Sequence, residues 1–371
     1  MTVVTRSFIV QLICAVFYSA LGATASAQTA STINRGVVEL EVPAADGIEI
    51  HTADDLARLV DDGATRRVIP VIGKGAAQTL LDLRYLRGID MAIVPVDVIG
   101  YVKKHNLLPS NEVSPYYIAK LYNQELHLLA RQEIKNVDEL LNRKIGVGRP
   151  GSSAEITASR VFEQLQLPVN FSNDAQELAL AKLQAGELDA IAIVGAKPIP
   201  LIQSIKDGSG LHLLEIPLEQ ELADLYVPSR LTHLDYPALV PDERPVHTVA
   251  VGSVLAVSNL RSMPERNRNV TNFIDAFFTS YRSLVAEGHD TKWAEVNLAA
   301  DVPDWQRYPA ADEWLQRNMP VRKPVTTDEL AALFSRFVDE RTQATGAVSM
   351  NPDQKNALFQ QFRAWQGTQP Q

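Results

Sequence analysis

The chain predicts an α/β protein built as two lobes that face one another across a cleft. Three observations carry this expectation. Strand–turn–helix–strand units occur twice, near residues 68–94 and 145–194. The two units close on similar segments, Leu86-Arg87-Gly88-Ile89-Asp90-Met91-Ala92-Ile93-Val94 and Leu183-Gln184-Ala185-Gly186-Glu187-Leu188-Asp189-Ala190-Ile191-Ala192-Ile193-Val194. In each, a glycine ends a helix and an aspartate precedes an unbroken apolar run, the pattern of a parallel strand covered on both faces. Finally, two long runs, Tyr122–Ala130 without Gly or Pro and Val246–Val257, are suited to cross from one lobe to the other and back.

The elements follow in order. Residues 28–35 are small and polar and read as a loose leader. Val68-Ile69-Pro70-Val71-Ile72 reads as a buried strand, Gly73-Lys74-Gly75 as a turn, Ala76–Leu86 as a helix ended by Gly88, and Asp90–Val94 as the next strand. In the second unit, strand Ile145–Gly148 leads through Arg149-Pro150-Gly151 to a helix near Ser153–Leu165. A short strand at Val169–Phe171, a helix from Ala175 to Gln184 and a strand Leu188–Val194 follow. Proline spacing from Pro217 to Pro245 marks an irregular stretch before the return crossing. Beyond Pro264 the pattern is helical, at Val270–Ala286, Ala311–Arg317, Thr327–Arg341 and Asp353–Trp365, and these helices are expected to pack on the first lobe. Trp293, Trp305, Tyr308 and Trp314 are expected to fill that interface. The resulting organisation is 1–27 as a leader, 28–125 as the first part of lobe 1, 126–245 as lobe 2, and 246–371 as the return into lobe 1 with its C-terminal helices.

The first 27 residues read as a secretory signal. Arg6 supplies the positive start, an apolar core runs from Phe8 to about Leu21, and Ala25-Ser26-Ala27 provides a small-x-small cleavage pattern before Gln28. The expectation is a periplasmic protein cleaved after Ala27. Cys14, the only cysteine, lies inside this leader, and Leu12 and Ile13 beside it are too bulky for lipoprotein processing. The mature chain would have no thiol, and so no disulfide, no cysteine zinc site and no cysteine nucleophile. The formal charge is −9, and loss of Arg6 with the leader makes it −10. An acidic exported protein is a poor partner for nucleic acid, and any anion site in it must be local.

One site stands out. Strand Ile145–Gly148 runs into a Gly-Pro-Gly-Ser-type turn and a Ser-capped helix, which leaves backbone N–H groups and a helix dipole facing outward, a place for a carboxylate or phosphate. Gly151 permits close backbone approach, and Ser152 and Ser153 add hydroxyls. Ser152-Ser153-Ala154-Glu155 is equally a capping box, in which Ser152 and Glu155 satisfy the helix's own donors. Gly146-x-Gly148-x-x-Gly151 matches the dinucleotide fingerprint in form, but Pro150 removes one N–H, the acidic residue expected after the second strand is poorly placed, with Asp174 the nearest, and an exported protein rarely meets free nicotinamide cofactor. Lys74 in the first-lobe turn, and Arg149, are charge partners for a bound anion. The seven histidines are never three to five residues apart, so no helical zinc pair is expected. No Gly-x-Ser-x-Gly elbow or Ser-x-x-Lys set is present, and no enzyme, cofactor or metal is expected.

Taken together, Arg87–Val94 with Asp97 following, Ile134–Gly148, Gly151-Ser152-Ser153, and the Gly186…Asp189 strand ending at Gly195-Ala196-Lys197-Pro198 resemble the TAXI-type solute receptors associated with TRAP transporters. The resemblance covers most of the mature chain. It implies a type II periplasmic binding fold with ligand contacts at Lys74, Gly75 and Ala76, at Asp97, at Arg149, Gly151, Ser152 and Ser153, and at Ala196 and Lys197. The chain departs from that pattern in two places. Gly151-Ser152-Ser153-Ala154 replaces the usual Gly-Ser-Gly-Thr and loses a hydroxyl, and Gly73-Lys74-Gly75-Ala76 stands where a serine is common, so that Lys74 would pair a carboxylate directly. The implied function is capture of a small carboxylate-bearing solute and delivery to membrane permease subunits. The alternative is a periplasmic sensor that passes its ligand state to a signalling partner.

Overall fold

The structure, a computed structural model, describes residues 36–109, 115–218, 220–286, 289–319 and Phe334. The signal at 1–27 and the helices expected at 327–341, Phe334 apart, and at 353–365 lie outside the described residues. Strand β1 (Val37–Val42) is followed by α1 (Ile48–Val60), β2 (Arg67–Ile72), α2 (Ala76–Tyr85), β3 (Ile89–Pro95) and α3 (Val98–Lys104). The long strand β4 (Tyr116–Arg131) then leads to β5 (Lys144–Gly146), α4 (Ser153–Gln164), β6 (Asn170–Ser172), α5 (Gln176–Gln184), β7 (Ala190–Gly195), β8 (Leu211–Leu213) and β9 (Tyr226–Leu231). Strand β10 (Val246–Val257) returns to α6 (Pro264–Ser280), β11 (Gln306–Arg307) and α7 (Pro309–Asn318).

The strands run in the order β2-β1-β3-β10-β4-β7-β5-β6, with β8 and β11 against β4 and β9 against β10. The outer strands on each side are parallel, as their helical crossovers require. The antiparallel pair β4–β10 runs through the middle, from Tyr116 opposite Val257 to Glu125 opposite Ala250. Its one end pairs with β3 and its other with β7 and β9. Two lobes therefore share two continuous strands.

Each lobe has a sheet covered on both faces. In β3, Met91 and Ile93 enter a core with Leu40, Leu56, Phe273 and Phe277, while Ala92 and Val94 enter another with Leu80, Val98 and Trp305. In β7, Ala190 and Ala192 face Phe162 and Tyr226, while Ile191 and Ile193 face Leu183 and Tyr236. This alternation is the period-2 geometry of a strand. Trp293, Trp305 and Tyr308 are buried in the first lobe and Trp314 packs on it, as expected.

Several expectations need correction. Strand β1 and helix α1, not foreseen as elements, precede the unit at Val68 within the stretch 28–125. The crossing strand starts at Tyr116, six residues before the expected Tyr122. The stretch from Pro217 to Pro245 contains β9, where Pro228 is tolerated because β9 pairs with β10 alone. The helix expected from Val270 starts at Pro264, which supplies a fixed φ in the first turn.

Candidate functional site

The N-terminal ends of α2, α3 and α4 meet where the lobes touch. The turn before α2 and the turn before α4 are in backbone contact: the Ala77 N–H donates to the Gly151 carbonyl at 3.0 Å. Both turns depend on glycine. Gly75 has φ +115° and Gly151 φ +73°, and a Cβ on Gly75 would stand 3.0 Å from the Gly151 oxygen. Lys74 and Arg149 flank this contact, one from each lobe. Both are exposed, and their side chains make no hydrogen bond or ion pair among the described residues. Ala76 is fully buried behind them.

The α4 terminus is capped from within. Ser152 Oγ accepts the Glu155 N–H at 3.3 Å, and the Glu155 carboxylate accepts the Gly151 N–H at 2.6 Å. Glu155 also accepts from Asn173 at 2.9 Å and, across the seam, from the Tyr101 hydroxyl at 2.9 Å. Burial, with the Glu155 carboxylate beside it, pushes the Tyr101 hydroxyl up to about 12. The capping-box reading thus describes Ser152. Ser153 keeps a hydroxyl with no partner among the described residues.

Asp97 lies one layer deeper. It is the N-cap residue of α3 and only 5 % exposed. Its Oδ2 accepts from Thr157 on α4 at 2.8 Å and from Tyr226 on β9 at 2.9 Å, both in the other lobe. Its Oδ1 is buried without a hydrogen-bond partner among the described residues. Burial raises its pKa to about 6, against the pull of the two hydroxyls and of Arg160. Ile156 beside Thr157 joins the first-lobe cluster of Ala76, Ala77, Val98 and Trp305, and Lys104 pairs with Glu163 at 3.0 Å farther along the seam. The second-lobe helix is therefore seated in the first lobe by an apolar plug, a buried carboxylate and an outer ion pair.

At the strand-crossing end, Ala196 packs against the first-lobe core. The Lys197 N–H donates to Glu125 Oε2 at 3.1 Å, but its ammonium turns into lobe 2 and pairs with Asp235 at 3.1 Å. The predicted residues therefore fall into three places: Lys74, Gly75, Ala76, Arg149, Gly151, Ser152 and Ser153 at the turn contact, Asp97 beneath it, and Ala196 and Lys197 at the crossing. The Lys197 charge is engaged elsewhere.

Four contributors escaped the sequence reading. Thr157 stands four residues after Ser153, so helical spacing from the capping box could have found it. Tyr226 lies in the stretch read as irregular, and Tyr101 sits on α3, a helix not expected. Lys120 lies on β4, its ammonium held by Asn123 Oδ1 at 2.9 Å, and burial pulls its pKa down. Among the described residues, no group of three or more His, Cys, Asp or Glu could hold a metal ion, and no helix is long and apolar enough to cross a membrane. What the seam offers chemically is a pair of helix N-termini, one unpaired cation on each side, and hydroxyls: donors for an anion.

Comparison with known proteins gives three results. A profile described as the NMT1-like family matches residues 110–278, which span β4 to most of α6. No curated protein matches the chain. Among solved structures, a TctC solute binding protein from Polaromonas overlaps 66% of this chain and 88% of its own, at 16% identity and a TM-score of 0.37. The alkanesulfonate-binding protein SsuA from Xanthomonas axonopodis pv. citri, bound to MOPS, overlaps 82% and 93% at 15% identity and 0.42. MatC from Rhodopseudomonas palustris with bound malate overlaps 65% and 84% at 17% identity and 0.39.

Proposed function

We propose that this chain is an exported solute receptor that holds a small carboxylate between its lobes and delivers it to the permease subunits of a TRAP-type transporter. In this reading 1–27 is cleaved, 28–125 and 246–371 form lobe 1, and 126–245 forms lobe 2. The observation that carries it is the Ala77–Gly151 bond between two helix-leading turns, flanked by the unpaired cations Lys74 and Arg149. When the lobes part, the Ala77 N–H at the positive end of α2 loses its carbonyl partner. A carboxylate entering there would take the Ala77 N–H in place of the Gly151 carbonyl and meet a cation from each lobe, so the lobes would close on the solute rather than directly on one another. The NMT1-like match over β4 to α6 supports the reading, and so does the secretory pattern at Arg6 and Ala25-Ser26-Ala27.

The test is a melting-temperature screen of the mature chain against mono- and dicarboxylates. A solute at a hundred times its dissociation constant should stabilise the protein by about 2.7 kcal/mol. A charge-assisted hydrogen bond contributes roughly 1.5–3 kcal/mol, so Lys74→Met should weaken binding by about 10- to 100-fold with the unliganded melt unchanged. Ser152→Ala should weaken it less but lower the unliganded melt, because it removes a helix cap of about 1 kcal/mol. If Lys74→Met binds like the parent, or no carboxylate shifts the melt, the proposal fails.

A further inference from the structure

The seam contains a buried acid that the proposed carboxylate site does not use. We infer that Asp97 is a positioning residue that latches the two lobes together, and that the latch holds when the Asp97 side chain is neutral and loosens when it is charged. The geometry assigns this role. Asp97 belongs to the first lobe, at the start of α3, yet both of its hydrogen bonds reach the second, to Thr157 and Tyr226. One side chain thus joins three separate elements, α3, α4 and β9. The contact is also sensitive to charge, because its second oxygen is buried with no donor among the described residues.

The charged groups around it set the balance. Arg160 on α4 acts on both Asp97 and Tyr226 and favours the charged acid, without reaching ion-pair distance of it. Tyr226, from β9, is itself pushed well above its ordinary range by burial and by Asp97, so it stays a donor. Glu155, on the same helix as Thr157, is engaged with Tyr101, Asn173 and the Gly151 N–H. Glu163 is shared by Lys104 and Arg160. Among the described residues no donor reaches the free oxygen, and Arg160 acts on the carboxylate only from beyond ion-pair distance. A carboxylate in that setting carries an uncompensated charge, whereas the neutral acid leaves only one polar group unpaired, which costs far less.

The sign follows from linkage. In the joined form the Asp97 pKa is about 6, above the ordinary aspartate value of 3.8. When the lobes part the acid meets water and returns toward the lower value. The joined form therefore binds the proton more tightly, and closure gains as pH falls through about 6 and levels off once the parted form is protonated too. A separation of about two pKa units corresponds to as much as a 100-fold change in the closing equilibrium. In an exported receptor this would favour retention in acid and release at neutral pH, whatever the solute. The latch does not depend on a carboxylate at the turn contact, so its failure would leave that proposal standing.

The Ala77 amide is a direct reporter, because its partner is the Gly151 carbonyl across the seam. Hydrogen exchange of the solute-free mature chain, expressed as a protection factor to remove the intrinsic pH effect, should show Ala77 more protected at pH 5 than at pH 8. Small-angle scattering should show a smaller radius of gyration at pH 5. Asp97→Asn, neutral at every pH and still able to accept both hydroxyls, should abolish the dependence and stay compact at pH 8. Thr157→Val with Tyr226→Phe should lower Ala77 protection at pH 5 while Leu80, inside α2, stays protected. Melting curves confirm that each variant is folded. A parent whose Ala77 protection and radius do not change between pH 5 and 8 would overturn the latch. So would an Asp97→Asn variant that keeps the parent's pH dependence, which would place the titrating group elsewhere.

Discussion

Glu41 poses the same problem as Asp97 on a smaller scale. It lies on β1 beneath the first-lobe turn, 1 % exposed, and takes one hydrogen bond, from Thr79 at 2.9 Å. A Cβ on Gly73 would stand 2.3 Å from its carboxyl oxygen, so the glycine makes room for it. Burial raises its pKa to about 7, with Asp82 adding to the rise and the Thr79 hydroxyl opposing it. The folded chain thus holds a proton that the unfolded chain loses near 4.5. Stability from this group is present at low pH, declines as pH rises from about 4.5 to 7, and is flat above. Glu41→Gln should remove that decline: the difference in melting temperature between variant and parent should grow in the variant's favour from pH 5 to pH 7.5, as read by calorimetry. A constant difference would show that Glu41 is charged throughout. His127 works in the opposite sense, since burial holds it near 4 and neutral, so its contribution is lost as pH falls below the usual histidine range. None of this is visible in the chain as written. Gly88 and Gly186 could be read because they act on their own neighbours. Asp97 could only be guessed at, because its partners lie 60 and 129 residues away.

At the level of elements, the crossing strands are held by a buried ion cluster. Lys292, in the short 3-10 turn Thr291–Glu295, pairs with Glu125 at 2.9 Å and Glu295 at 2.8 Å and donates to the Asn123 carbonyl at 2.9 Å. Burial works against its charge, but the two carboxylates outweigh it and keep its pKa above the usual lysine value. Glu125 in turn holds the Lys197 N–H and accepts from Ser229. One carboxylate thus ties the first-lobe turn to β4, β7's end and β9. Removing one member of a buried pair costs about 3–5 kcal/mol, because the other is left unpaired. Lys292→Met should lower chemical stability by that order in denaturant titration, and adding Glu125→Gln should recover part of it. Additive losses would mean the pair does not couple. The return strand was read to its residue, Val246–Val257, because its apolar run is bounded by Pro245 and polar residues. β9 was missed because Pro228 and exposed residues disguise it, and only its partner strand shows what it is.

For the whole molecule, the two-lobed α/β plan was legible because each lobe repeats local syntax, strand, glycine turn, helix, strand. How the lobes sit against one another was not, since Ile156 and Tyr226 carry no seam signal of their own. The shared strands also decide how the molecule would respond to force. The described chain begins at Gly36 and reaches α7, and both lie in the first lobe, where α7 packs on α6. The second lobe enters through β4 and leaves through β10, which are paired side by side. Tension applied at residues 36 and 319 would therefore run through the first lobe alone and reach the second only after β4 and β10 begin to peel apart. Stretched in an optical trap, the chain should give way in two ordered steps, the first lobe always before the second, and the inserted lobe should stand as a folded intermediate under load.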